Sequence, residues 1–109
     1  MSEIFVGFGS NLGDRSRTLR HAVTTLDAMP GVRLRDCSGM RETEPVGGPP
    51  QPHFVNAVAR FDAAIPPDAL LRVLQEIEHA HGRRRGVANG PRTLDLDLLL
   101  YGHHRLAEE

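Results

Sequence analysis

The stretch Thr93-Leu94-Asp95-Leu96-Asp97-Leu98-Leu99-Leu100-Tyr101 constrains the fold of this 109-residue chain more than any other. Side chains in a β-strand alternate between the two faces of its sheet. The segment therefore reads as a strand with Leu94, Leu96, Leu98 and Leu100 on a core face and Asp95 and Asp97 together on the other. Alternate positions of this kind lie about 7 Å apart along the backbone. A strand so patterned needs apolar cover on one side and open space on the other.

The rest of the chain supplies the cover. Ile4 to Gly9 sets Ile4, Val6 and Phe8 against Phe5, Gly7 and Gly9, which predicts a first strand. Gly7 to Asp14 is rich in glycine and reads as a tight turn rather than a phosphate loop. From Asp14 to about Met29, Leu19, Ala22, Val23 and Leu26 recur at helical spacing, with Asp14 as cap and Pro30-Gly31 as stop. Val32 to about Met40 predicts a second strand. Residues 44–53 hold Pro45, Gly47, Gly48, Pro49, Pro50 and Pro52 and predict an irregular loop. Phe54 to Phe61 predicts a third strand. Pro66-Pro67-Asp68 opens a second helix with a Leu70, Leu74, Ile77 stripe, ended by Gly82. Residues 83–91 form a second loop before the aspartate strand. The order βαββαβ, with no internal repeat, predicts one α+β domain of ferredoxin-like type. Its sheet has four antiparallel strands, with two helices packed on one face.

Composition narrows the chemistry. All 13 basic residues are arginine, so no P-loop lysine is available and any phosphate binding rests on arginine and metal. A formal net charge of −1 does not favour nucleic acid as the main partner. The lone Cys37 allows no internal disulfide, and no run of 18 apolar residues exists to span a membrane. The acidic start Met1-Ser2-Glu3-Ile4 is unlike a signal peptide, and cytoplasmic residence is expected.

Two aspartates side by side on a hydrophobic strand repel each other and resist desolvation, so a solvated face or a cation must neutralise them. Paired carboxylates suit magnesium, which commonly adds phosphate oxygens and water to one or two of them. Arg83, Arg84, Arg85 and Arg92 bring positive charge to the neighbouring loop, either as solvated surface or as a phosphate clamp. Gln75 and Glu78 share a helix face, as ligand contacts or as wet surface. Phe54 and Asn56 share a strand face, where a ring and a carboxamide can stack on and hydrogen-bond a flat heterocycle. The six histidines lack metal-ligand spacing and read as surface or loop residues, and Cys37 has no histidine nearby in sequence to activate it.

Taken in order, Gly9-Ser10-Asn11-Leu12-Gly13-Asp14, Glu42-Thr43-Glu44-Pro45-Val46-Gly47, Gln51-Pro52 with Phe54-Val55-Asn56, Gly82-Arg83, and Gly90-Pro91-Arg92-Thr93-Leu94-Asp95-Leu96-Asp97 resemble the 6-hydroxymethyl-7,8-dihydropterin pyrophosphokinase family of folate biosynthesis. The resemblance implies transfer of pyrophosphate from MgATP to the pterin hydroxymethyl oxygen, with release of AMP. It implies that Asp95 and Asp97 bind two magnesium ions, and that Arg83 and Arg92 contact phosphates and stabilise charge in the transition state. Gln75, Glu78, Arg85 and Arg92 would bind ATP. Phe54 would stack on the pterin, Asn56 would hydrogen-bond it, and Thr43, Pro45 and Val46 would line its edge. The implied partners are these two small molecules, with neither nucleic acid nor membrane, for a monomer or weak homo-oligomer.

Two departures from the family pattern accompany the resemblance. Residues 1–109 correspond to a domain that is C-terminally short, lacking a segment that in the family carries a histidine, further basic residues and a second aromatic. The loop Gly86-Val87-Ala88-Asn89 also lacks the aromatic and arginine usual there. A non-catalytic or partner-dependent relative that binds nucleotide or pterin is the alternative expectation.

Overall fold

Strand β1, Ser2–Ser10, runs through the middle of the sheet and pairs antiparallel with β4, Phe54–Ala63, on one side and with β5, Asp95–Tyr101, on the other. A computed structural model of the chain describes residues 1–44, 47, 48, 50–81 and 93–102, and the backbone of 104 and 105. Strand β2, Val32–Cys37, completes the long strands in the order β2-β4-β1-β5. This is the antiparallel ferredoxin-like arrangement that βαββαβ predicts.

The alternation in each strand decides which face is buried. Ile4, Val6 and Phe8 of β1, Val55, Ala57, Ala59, Phe61 and Ala63 of β4, and Leu96 and Leu98 of β5 form the core with Leu94 just before the strand. Helix α1, Arg15–Asp27, buries Leu19, Ala22 and Leu26 against them, and α2, Pro67–Ala80, buries Leu70, Leu74 and Ile77. Each fully buried side chain of this size is worth about 1.5–3 kcal/mol of transfer free energy. Asp14 caps α1 by accepting the Arg17 N–H at 3.2 Å, and Pro67 occupies the first turn of α2, where its missing N–H costs nothing. The predicted helix end at Gly82 lies outside the described residues.

Three boundaries differ from expectation, each for a local reason. The predicted second strand, Val32 to about Met40, stops early: β2 ends at Cys37, and β3, Arg41–Thr43, pairs along the same edge of β4 past the predicted end. Ser38 spans the break. Its N–H donates to Val58 O at 2.8 Å and its hydroxyl accepts the Val58 N–H at 2.9 Å, so a side chain stands in for the missing rung. A short β6, His104–Arg105, extends the sheet beyond β5.

The third difference is in the aspartate strand. Val6 pairs with Leu98 but Phe5 pairs with Leu100, so β5 spends one extra residue at this point. That bulge reverses the alternation. Tyr101, not Leu100, packs against the core, and its hydroxyl donates to Ile65 O. Leu100 is half-buried beside Phe5, away from the core face assigned to it by simple alternation.

Candidate active site on the open face of the sheet

Among the described residues no helix covers the face opposite the core, and Phe54, Asn56, Asp95 and Asp97 lie there around two glycines. The β1 register places Gly9 between Asn56 of β4 and Asp95 of β5, and Gly7 between Val58 and Asp97. A Cβ at Gly9 would lie 3.0 Å from Asn56 Oδ1, 3.8 Å from the Phe54 ring and 4.0 Å from Asp95 Cβ. One point above the Gly9 backbone therefore lies against the ring, the carboxamide and the Asp95 side chain at once. At Gly7 the same construction meets Leu99 at 3.6 Å and Asp97 Cβ at 3.9 Å.

Gly7 and Gly9 end the predicted first strand and also open the glycine-rich stretch read as a turn. Both are strand residues, because β1 continues to Ser10 and the chain turns only over residues 11–14. Their lack of side chains leaves a trough between the β4 and β5 groups. The signal was present in sequence: two glycines at successive outward positions of a strand mark a place where something approaches the backbone closely.

Asn56 is held in one orientation. Its Nδ2 donates to Thr43 Oγ1 at 2.6 Å, which turns Oδ1 towards Gly9 and the trough. Thr43, an exposed residue paired with Phe54 across β3 and β4, thus acts on the site through the amide as well as through its own position. The carboxamide presents an acceptor to a ligand lying on the glycine floor.

On the other side, Asp95 is half-buried and Asp97 exposed, both on the open face of β5. Helix α2 lies against the free side of this strand. Glu78, only 7% exposed, accepts the Leu96 N–H at 2.7 Å and so closes a rung that no strand among the described residues pairs. Glu78 was expected on ligand grounds; the geometry gives its carboxylate a strand-edge contact as well. Gln75 is exposed, and together with Glu78, Leu71, Leu74 and Leu96 it lines an open groove of about 720 Å³. The groove runs beside the strand that carries the aspartates.

The remaining site candidates, Arg83, Arg85 and Arg92 for phosphate and Pro45 and Val46 for the pterin edge, lie outside the described residues. His21 and His81 are not isolated surface groups: their rings meet between α1 and the end of α2, Nδ1 to Nε2, at 3.0 Å. Cys37 lies at the far end of the open face with Phe5, Val58 and Arg60. Partial burial, helped by the charge of Asp36, pushes its thiol pKa up and makes it a poor nucleophile.

Residues 5–108 match the 7,8-dihydro-6-hydroxymethylpterin-pyrophosphokinase family. The chain belongs to this family. It is 40% identical over 106 residues to the 2-amino-4-hydroxy-6-hydroxymethyldihydropteridine pyrophosphokinase of Pseudomonas aeruginosa, covering 97% of this chain and 65% of that one. With the Bacillus subtilis protein of the same name it shares 39% identity over 105 residues, covering 96% and 63%. With that of Pseudomonas putida it shares 44% over 97 residues, covering 89% and 80%. The chain thus spans a little under two thirds of the length of the first two relatives. Among solved structures, the C-terminal domain of the MgtC protein from Mycobacterium tuberculosis overlays with a TM-score of 0.49 at 17% identity, covering 99% of this chain and 95% of that one.

Family members use ATP with magnesium, and the donor set here suits that ion. Asp95 and Asp97 are hard oxygen donors on one face. Among the described residues, no group of three or more His, Cys, Asp and Glu side chains could hold a metal by itself. Two carboxylates that leave the other positions to phosphate oxygens and water are the usual protein share of a magnesium–nucleotide site. No helix among the described residues is long and apolar enough to cross a membrane.

Proposed function

We propose that this chain transfers pyrophosphate from MgATP to 6-hydroxymethyl-7,8-dihydropterin, as the names of its relatives describe. The hydroxymethyl oxygen forms a bond to the β-phosphorus and the bond from that phosphorus to the oxygen bridging it to the α-phosphorus breaks. AMP leaves with that oxygen, and the hydroxyl proton passes to solvent. The observation that carries this reading is the convergence at Gly9. A ring and carboxamide suited to a pterin stand within 4.0 Å of the same point as the Cβ of Asp95, whose carboxylate suits a metal–phosphate group. Acceptor and donor must lie side by side for an in-line transfer, and β4 and β5, one on either side of β1, would hold them so.

In this reading Phe54 stacks on the pterin, Asn56 Oδ1 accepts from one of its N–H groups, and Thr43, Pro45 and Val46 border its edge. Asp95 and Asp97 hold two magnesium ions, which supply charge neutralisation for the phosphates. Gln75 faces ATP from the groove, and Glu78 supports that groove while bracing β5. Arg83, Arg85 and Arg92 bind the phosphates, with Arg83 and Arg92 stabilising charge as the bond to the leaving AMP lengthens. The setting is the cytoplasm, and the protein acts as a monomer or weak homo-oligomer on small molecules alone.

The deciding experiment is AMP formation from MgATP and the dihydropterin, with Asp95→Ala beside the wild type. Pterin-dependent AMP that falls about a thousandfold or more in the variant is expected. Folded wild-type protein that makes no AMP would overturn the reading of this chain as a self-sufficient enzyme. A partner-dependent role would then be tested by adding candidate second chains.

A further inference from the structure

We infer that Asn11 is a positioning residue for the pterin side of the site, acting through the loop residues Gln51 and Pro52 that lead into β4; this rests on the function proposed above. Asn11 follows the last residue of β1 and is wholly buried. A buried carboxamide without partners costs about 1–3 kcal/mol, so its two N–H groups need acceptors. Both acceptors come from the loop: Nδ2 donates to Gln51 Oε1 at 2.7 Å and to Pro52 O at 3.0 Å.

The loop needs such a hold. The β3–β4 ladder stops at the Thr43–Phe54 pair, and Pro50 and Pro52 have no N–H to offer a backbone partner. Arg15, at the start of α1, makes a second hold. Its guanidinium donates to His53 O at 2.6 Å and to Glu42 Oε2 at 3.3 Å, joining the strand before the loop to the loop's last residue. Phe54 follows His53 directly, and Asn56 lies two residues further on. The turn between β1 and α1 therefore sets where the ring enters the trough, although neither Asn11 nor Arg15 carries a group expected to touch the reacting atoms. The glycine floor and the tether are consecutive in sequence, so one short segment shapes the pocket from below and fixes its wall.

The test compares Asn11→Asp with the wild type. The substitution keeps shape but cannot donate, and it turns a carboxylate towards two acceptors. Arg15→Gln and Gln51→Ala, at less buried positions, address the same tether if Asn11→Asp does not fold. The expected result is a pterin KM raised about tenfold, with the ATP KM within about twofold, because the α2–β5 groove is built from other elements. Equal changes in both constants, or none, in a folded variant would overturn the inference. If the wild type makes no AMP, the function proposed above fails by itself. The tether is then judged by amide NMR: shifted Phe54 and Asn56 signals, with those of Asp95 to Leu98 unmoved, uphold it. Unmoved Phe54 and Asn56 signals overturn it.

Discussion

The two faces of one sheet are built from the same strands by opposite rules. On the helix side, Ile4, Val6, Phe8, Phe61 and Leu96 are buried, and no buried side-chain polar atom among the described residues lacks a hydrogen-bond partner. On the open side the same strands offer Gly7, Gly9, Phe54, Asn56, Asp95 and Asp97. Period-two alternation lets a chain assign stability to one residue set and chemistry to its immediate neighbours. A change at one position can therefore strike folding while the next strikes only the site.

The sharpest test of that separation is on the covered face. Phe61 is fully buried and its ring sits 6.4 Å from that of Phe8. Phe61→Ala is expected to cost about 3–5 kcal/mol, measured by urea denaturation. A loss under about 1 kcal/mol would mean that the core does not carry the fold as described.

Glu78 tests the seam between the faces. Glu78→Leu keeps bulk but leaves the Leu96 N–H without its acceptor, and a loss of about 1.5–3 kcal/mol is expected. Glu78→Gln, which retains an acceptor oxygen, should recover much of it. The accompanying sign is faster hydrogen exchange at Leu96 in Glu78→Leu; unchanged exchange would show that the carboxylate does not brace the strand.

Gly9 tests the open face alone. An added methyl meets Asn56 Oδ1 at 3.0 Å, and the amide cannot swing away without breaking its bond to Thr43. Gly9→Ala should raise the pterin KM about tenfold while leaving stability within about 0.5 kcal/mol of the wild type. An equal loss of stability would show that the glycine serves packing rather than the trough.

The smallest effect belongs to Cys37, at the far end of the open face. A thiol pKa pushed up by burial, and further by Asp36, leaves less thiolate at pH 7 than a free thiol titrating near 8.5. Alkylation should run slower than for free cysteine and close the gap only as pH rises. Asp36→Asn should speed it slightly; reaction at the free-thiol rate at pH 7 would contradict the assignment.

Much of this was legible before folding. The aspartate strand, both helices with the Asp14 cap of the first, and the Phe54–Asn56 pair follow from periodicity and from residues with known local preferences. The bulge in β5 was not, because a single extra residue depends on pairing with β1 rather than on the strand's own pattern. The splitting of β2 from β3 was likewise hidden, since the Ser38 hydroxyl replaces a ladder bond only once Val58 is beside it.

By itself the sequence determined which residues alternate, which segments are helical, and which side chains can bind metal, phosphate or a flat heterocycle. These are properties of the residue and its near neighbours. Tertiary structure alone decided that Asn56, Gly9 and Asp95 stand in one row, that Glu78 caps Leu96, and that Asn11 holds Gln51 and Pro52. Those partners are separated by 18 to 86 positions along the chain. Register, which no local propensity encodes, is what brings them within a few ångströms.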